Sequence, residues 1–204
     1  AYDIAYMRCI PNMVVSAPMN ESELRNLMFT AQKLNSGPFT IRYPRGKGVL
    51  EDWETPMEMV KVGTGRVICE GEDIAILSIG HIGNYATKAI QKLNKENINP
   101  SHYDMRFVKP LDEKLLHKIL KKHKFILTVE DGCIIGGFGS AILEFMSENN
   151  YSNSIQRLGI PDKIIEHGSQ DELYKECNYD DLSIYNFCKK MLNFKGKKFE
   201  EVLI

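Results

Sequence analysis

Arg45 is the residue of this chain whose position most clearly suggests chemistry. It lies in a stretch from Gly37 to Gly46 in which aromatic and β-branched residues predict a strand over Phe39–Tyr43. Because Pro44 does not suit the middle of a sheet, Arg45 is expected just past the carboxyl end of that strand, where α/β sheets bind ligands. Its planar guanidinium suits a phosphate or a carboxylate. Alternatively, Arg42 and Arg45 pin this end of a domain to a neighbouring acidic surface.

Two further motifs allow two interpretations each. The glycine-rich run Gly136–Ser140 could cradle a phosphate at a helix N-terminus, or its glycines could let a helix pack closely on a strand. We favour close packing because the lysine of a P-loop is missing. Glu130 and Asp131 could form an acid/base pair at the end of a strand. Contacts to a neighbouring domain are favoured, because no histidine or metal-ligand spacing lies nearby.

The histidines give weaker indications. His81 and His167 lie in glycine-containing loops, where a functional role is plausible. The residues after His167 also predict a helix start capped by Ser169, which we favour. His117 and His123 accompany a lysine-rich helix and are expected in solvent. No Ser/His/Asp or Cys/His set can be placed from spacing.

Hydrophobic periodicity and turn residues predict the elements that position these side chains. Residues 13–17, a helix starting at Asn20 and residues 39–43 form a strand–helix–strand unit with parallel strands. Further along, strands at 59–69, 73–79, 102–107, 125–129 and 154–158 alternate with helices at 84–97, after Asp112, after Gly136, at 171–177 and at 182–191. This alternation predicts a mostly parallel α/β sheet covered on both faces. The last ten residues, from Lys195, are expected to be a tail or a strap on a partner.

Composition excludes several classes of protein. The 204 residues are 43% hydrophobic and 26% charged, which is typical of a globular protein. The net charge of −1 gives no electrostatic case for nucleic acid or an anionic membrane, and no apolar run approaches the ~20 residues that span a bilayer. Five scattered cysteines favour reduced thiols in a cytoplasmic protein over disulfides or a zinc site. Since the chain begins at Ala1 rather than Met, we expect it to start within a longer protein.

Several stretches carry a family resemblance: Tyr2–Met13, Ile41–Gly46, Asp104–Asp112, Val129–Gly132 with Gly136–Ser140, and Leu158–Asp162 with Glu166–Asp171. In this order and spacing they resemble the 1-deoxy-D-xylulose-5-phosphate synthases, thiamine-diphosphate enzymes related to transketolase. The Arg-Tyr-Pro-Arg-Gly run at 42–46 and the run at 104–112 favour these synthases over transketolases and over the beta subunits of 2-oxo-acid dehydrogenases.

The resemblance implies an α/β fold with two parts. Residues 1–46 would be the end of a pyrimidine-binding parallel-sheet domain, 47–58 a linker, and 59–204 a transketolase C-terminal-type, mostly parallel α/β domain. The family condenses pyruvate with D-glyceraldehyde 3-phosphate to 1-deoxy-D-xylulose 5-phosphate and CO₂, which feeds isoprenoid, thiamine and pyridoxal synthesis.

The resemblance also implies which site residues this chain holds. The family uses thiamine diphosphate and Mg²⁺, but the glutamate, the metal-binding motif and the histidines of its active site would precede Ala1. No catalytic, cofactor-binding or metal-binding residue therefore carries over. Arg45 alone carries over, with the role of binding the phosphate of the aldehyde substrate.

Three hypotheses stay open at this point. The chain is the C-terminal portion of a homodimeric synthase, inactive alone, with or without a companion N-terminal fragment. It is a non-catalytic dimerisation subunit. Or it is the beta-subunit-like half of a split transketolase or 2-oxo-acid dehydrogenase.

Overall fold

The computed structural model describes residues 1–33 and 37–193, which form two β-sheets and their flanking helices. The strands are β1 (Val14–Ser16), β2 (Phe39–Ile41), β3 (Arg66–Cys69), β4 (Ala75–Ile79), β5 (Ser101–Asp104), β6 (Phe107–Lys109), β7 (Phe125–Cys133) and β8 (Ser154–Ile160). The helices are α1 (Asp3–Met7), α2 (Glu21–Lys33), α3 (Gly83–Asn94), α4 (Glu113–Lys122), α5 (Phe138–Glu148), α6 (Gln170–Glu176) and α7 (Asp181–Asn193), with a 3₁₀ turn at Gly80–Ile82. The predicted C-terminal tail and the end of the helix predicted from Asn20 lie outside the described residues.

The smaller sheet has the strand order β2-β1-β6. β1 runs parallel to β2, with Val14 opposite Phe39, and α2 connects them, so the predicted strand–helix–strand unit is confirmed. Asn20 caps α2 by accepting a hydrogen bond from the backbone N–H of Glu23 at 3.0 Å. β6 comes from much later in the chain and pairs antiparallel with β1. The two parts of the chain therefore share one sheet.

The larger sheet has the order β3-β5-β4-β7-β8. Its strands are parallel except β3, an edge strand that runs antiparallel to β5. Every residue of β4 is buried, as expected for a central strand with helices on both faces. Side chains of α4 and α5 pack on one face, and those of α3 and α7 pack on the other. The predicted mostly parallel α/β fold is confirmed.

The prediction of a single strand over residues 102–107 is wrong. β5 ends at Asp104, and β6 starts at Phe107 in the other sheet. Between them Arg106 adopts a left-handed backbone conformation with φ of 56°, which interrupts the extended chain between the two strands. Its guanidinium donates to Oε1 of Glu23 on α2 at 2.8 Å. The break is held by this ion pair with a residue distant in sequence, and by Asp104, whose Oδ1 accepts from the backbone N–H of Arg106 at 3.2 Å.

Two negative findings concern the described residues alone. Within residues 1–33 and 37–193, no helix is long and apolar enough to cross a bilayer. Nor does this part of the chain bring together three or more His, Cys, Asp or Glu side chains in a group that could hold a metal ion.

Candidate functional site

Arg42 joins the two sheets through a largely buried guanidinium. Its backbone N–H donates to Ser16 on β1 at 2.9 Å, which extends the pairing of β2. Its Nε donates to Asp3 at 3.2 Å and its Nη1 to Asp131 at 3.0 Å. The Arg42 side chain is 16% exposed. Of the two interpretations of the arginine pair, Arg42 therefore fits the one in which an arginine binds a neighbouring acidic surface.

Asp131 lies at the centre of what we call the Asp131 cluster, which comprises Arg42, Asp131, His81, Tyr174 and Tyr179. The hydroxyl of Tyr179 donates to Asp131 Oδ1 at 3.0 Å, and that of Tyr174 donates to Oδ2 at 3.4 Å. Nε2 of His81 lies 2.6 Å from the Tyr174 hydroxyl oxygen and 3.4 Å from Asp131 Oδ2. The cluster ties the end of β2 to β7, α6 and the turn before α3.

The charges of the Asp131 cluster follow from its burial. Burial opposes the ionisation of Asp131, but the charges of Arg42 and His81 and the hydrogen bonds outweigh it, so the pKa of Asp131 is lowered. Burial, with a smaller contribution from Arg42, lowers the pKa of His81 to about 4. At neutral pH the cluster thus contains an ionised aspartate and a neutral histidine. His81 therefore packs within this cluster and does not lie in an exposed loop.

Arg45 lies three residues beyond Arg42 in the opposite environment. Its side chain is exposed. Within the described residues it forms no hydrogen bond and no ion pair, so its five N–H donors remain available to a ligand. A guanidinium buried in an apolar core would exclude an anion-binding role. The Arg45 side chain is instead exposed to solvent.

The segment after Arg45 is fixed although it is neither helix nor strand. The carboxylate of Glu21, at the start of α2, accepts hydrogen bonds from the backbone N–H groups of Val49 at 2.6 Å and Leu50 at 3.1 Å. A Cβ atom on Gly48 would overlap Oε1 of Glu21, so a larger residue here would displace the carboxylate that holds the segment. Arg45 is therefore anchored on one side by Arg42 and on the other by Glu21.

A cavity of about 790 Å³ lies beside residues 43–49, and Arg45 itself is not among the residues that line it. Pro44 and Gly46, the two chain neighbours of Arg45, line it. It is bounded by the start of α2, the segment 43–49 and α3, and Lys47 and Lys88 are the cationic residues of its lining. The cationic side chains that an anionic ligand inside this cavity would meet are therefore Lys47 and Lys88.

The glycine-rich run Gly136–Ser140 packs α5 against β7. The Glu130 carboxylate accepts hydrogen bonds from the N–H groups of Phe138 at 2.7 Å and Gly139 at 2.8 Å. It thus occupies the helix N-terminus, where a phosphate would bind. A Cβ atom on Gly137 would overlap Oε2 of Glu130, so the close-packing interpretation is confirmed. Burial raises the pKa of Glu130 to about 7, although the two N–H groups favour the charged form.

Two further histidines, His167 and His123, differ in their exposure to solvent. His167 is exposed, and Ser169 caps α6 in a capping box with Glu172, as favoured. His123 is only 2% exposed and packs edge-on against the ring of Tyr103, so the expectation that it is solvated was wrong. The reason is that His123 ends α4 facing β5 rather than the lysine-rich face of the helix.

Other residues of the candidate site were not predicted from the sequence. Tyr174 and Tyr179 lie more than forty residues from Asp131 in sequence. Glu21 lies 28 residues from Val49, whose backbone N–H it accepts from. No spacing rule could have found these contacts, because each depends on the packing of distant elements.

This fold and site define a transketolase-type C-terminal domain. Residues 63–184 match the family model described as transketolase, C-terminal domain, and the chain belongs to that family. The chain is 63% identical over 185 residues to the 1-deoxy-D-xylulose-5-phosphate synthase of Cytophaga hutchinsonii, a match that covers 90% of this chain and 29% of the relative. The synthase of Parabacteroides distasonis is 52% identical over 189 residues, with 93% and 30% covered. The resemblance inferred from the sequence is confirmed, and the chain spans less than a third of the length of these relatives.

Two solved structures share the fold. A protein described as a split gene transketolase, inactive beta4 tetramer, superposes with a TM-score of 0.82 at 27% identity, covering 95% of this chain and 62% of that one. The transketolase of Campylobacter jejuni superposes with a TM-score of 0.62 at 13% identity, covering 93% and 28%, which shows the fold alone.

Proposed function

We propose that this chain is the C-terminal portion of a thiamine-diphosphate-dependent transferase that condenses pyruvate with D-glyceraldehyde 3-phosphate to 1-deoxy-D-xylulose 5-phosphate and CO₂. The observation that carries this proposal is the 63% identity over 185 residues to a protein named as that synthase. The product would enter isoprenoid, thiamine and pyridoxal synthesis. We also propose that the whole enzyme is a homodimer in the cytoplasm.

Arg45 would bind the phosphate of the aldehyde substrate. Its exposure, its free donors within the described residues and its anchored segment support this role. A guanidinium can hold a phosphate with two parallel charge-assisted hydrogen bonds, and fixing it beforehand reduces the entropy lost on binding.

Within residues 1–33 and 37–193, the side chains present do not fit a site for Mg²⁺ and the diphosphate of the cofactor. The acidic side chains at the end of β7 are already used: Glu130 accepts from two backbone N–H groups, and Asp131 accepts from Arg42 and two tyrosines. Neither carboxylate has the free oxygen ligands that Mg²⁺ requires. We therefore assign no step on the cofactor to this chain.

The experiment that tests the proposal compares the chain alone with a chimera. The chimera joins the N-terminal portion of the Cytophaga hutchinsonii relative to residues 1–204. With pyruvate, D-glyceraldehyde 3-phosphate, thiamine diphosphate and Mg²⁺, the chimera should form product and the chain alone should form none. Turnover by the chain alone would contradict its expected inactivity. A folded, soluble chimera without turnover would contradict the proposed function.

One observation favours a second candidate function. The split gene transketolase superposes over 95% of this chain, and its description is of an inactive assembly of beta subunits. A beta-subunit-like half of a split enzyme would associate with itself and co-purify with a separate N-terminal chain in its native host. Intact mass and native mass spectrometry of the purified protein distinguish the two: a companion polypeptide supports the split enzyme, and a single longer chain supports the synthase. A non-catalytic dimerisation subunit predicts neither a companion chain nor turnover.

A further inference from the structure

We propose that Asp131 is a positioning residue: it holds Arg42, and through Arg42 it sets the turn that presents Arg45 to the phosphate of the aldehyde. This inference rests on the proposed function. It assigns part of the recognition of the acceptor's phosphate to the C-terminal domain, through a residue that does not touch the substrate.

The connection between the two arginines is short and stiff. Arg42 is fixed by its backbone hydrogen bond to Ser16 and by its side-chain bond to Asp131. Only Tyr43 and Pro44 separate it from Arg45. Proline locks its own φ and restricts the preceding residue to extended conformations. A change in the direction of Arg42 is therefore passed to Arg45 with few torsions available to absorb it.

The direction of the Asp131 carboxylate is also fixed. Oδ1 is held by the Tyr179 hydroxyl at 3.0 Å, and Oδ2 contacts both Arg42 and the Tyr174 hydroxyl. Tyr179 is 1% exposed and Tyr174 is 3% exposed, so both donors are fixed by core packing. Asp3, the other partner of Arg42, is 28% exposed and lies near the start of the chain. Asp131 is the more rigid of the two anchors.

Positioning and plain stabilisation by Asp131 have different kinetic consequences. If Asp131 only stabilised the fold, its loss would weaken the use of every substrate. If Asp131 acts through Arg45, its loss weakens the use of phosphorylated acceptors. The kinetic constants for unphosphorylated acceptors and for pyruvate then stay unchanged.

The test uses Asp131→Asn in the chimera, because asparagine keeps the shape and removes the charge that Arg42 meets. We expect the KM for D-glyceraldehyde 3-phosphate to rise roughly tenfold, which corresponds to losing part of one charge-assisted contact. The kinetic constants for pyruvate and for unphosphorylated D-glyceraldehyde should stay unchanged. Combined with Arg45→Ala, Asp131→Asn should add nothing further, since residues acting through one contact are not additive. Asp162→Asn, an exposed aspartate after β8, is the matched control.

Two results would overturn the inference while leaving the proposed function intact. One is an equal loss with phosphorylated and unphosphorylated acceptors. The other is an effect that adds fully to that of Arg45→Ala. A chimera without any turnover overturns both proposals, so the two failures are distinguishable.

If Asp131→Asn shows no cooperative thermal transition, Tyr179→Phe decides instead. This variant removes only one hydroxyl that orients Asp131. A smaller rise in KM confined to the phosphorylated acceptor supports the inference, and an unchanged KM for that acceptor overturns it.

Discussion

Arg42 and Arg45 flank the same Tyr43-Pro44 pair, yet their surroundings are opposite. Arg42 is largely buried between Asp3 and Asp131, whereas Arg45 is exposed and has no partner within the described residues. The chemistry of the side chain is identical, so the difference lies in which acidic groups the fold brings within reach. The two arginines therefore have separate roles, because the first fixes the turn and the second remains available to a ligand.

The largest expected effect comes from removing the buried member of the pair. Arg42→Ala leaves Asp131 without its cationic partner, and breaking a buried ion pair from one side typically costs about 3–5 kcal/mol. Urea unfolding of the 204-residue chain, followed by circular dichroism, measures this loss. A cost close to that of Arg45→Ala would remove the distinction between the two arginines.

The pH dependence of stability distinguishes two largely buried carboxylates, Asp131, whose pKa is lowered, and Glu130, whose pKa burial raises. Glu130 has a folded-state pKa of about 7 against an ordinary 4.5, so between these values the folded state binds more protons than the unfolded state. Its contribution to stability is therefore complete below about pH 4.5 and is lost as the pH rises to about 7. The difference in unfolding free energy between wild type and Glu130→Gln should fall over this range, by up to about 3 kcal/mol.

Using that difference isolates Glu130 from two other groups. Asp104, with a pKa that burial raises to about 6, acts in the same direction, while His81, whose pKa is lowered to about 4, acts in the opposite direction. Both are present in wild type and variant alike. A difference that does not change between about pH 4.5 and 7 would show that Glu130 is ionised throughout this range.

A smaller effect is expected where Glu21 holds the segment that follows Arg45. Glu21→Gln weakens two hydrogen bonds to the backbone of Val49 and Leu50, at a cost of about 1–2 kcal/mol. Limited proteolysis should cut residues 47–50 faster in this variant, because the hydrogen bonds that hold Val49 and Leu50 to α2 are weakened. Glu51→Gln, an exposed glutamate in the same segment, is the control. Equal cleavage of the two variants would show that Glu21 does not hold the segment.

The smallest effect on stability belongs to Arg45 itself. As an exposed side chain without contacts in the described residues, its replacement by alanine should change the unfolding free energy by no more than about 0.5 kcal/mol. Urea unfolding beside Arg42→Ala checks this. A loss above about 1 kcal/mol would reveal a structural role and weaken the comparison.

The sequence predicted the elements better than the contacts between them. Continuous apolar runs marked β4 and β7, and caps such as Asp112, which accepts from Leu115 N–H at 3.0 Å, marked helix starts. The break at Arg106 was not visible, because a partner from α2, Glu23, holds it. The different fates of Arg42 and Arg45 were not visible either, because Asp131 reaches only Arg42, from 89 residues away. Sequence patterns indicate the preferences of nearby residues for helix, strand or turn. The break at Arg106 and the surroundings of the two arginines depend instead on tertiary contacts.

The measurement that tests the central claim most directly is the kinetics of Arg45→Ala in the chimera with both substrates varied. Losing a charged, hydrogen-bonded contact to the phosphate should cost on the order of 2–4 kcal/mol, so the KM for D-glyceraldehyde 3-phosphate should rise roughly 30- to 700-fold. The KM for pyruvate should stay nearly unchanged, since pyruvate carries no phosphate. Equal losses for both substrates, or no loss for either, would contradict the claim that Arg45 binds the phosphate.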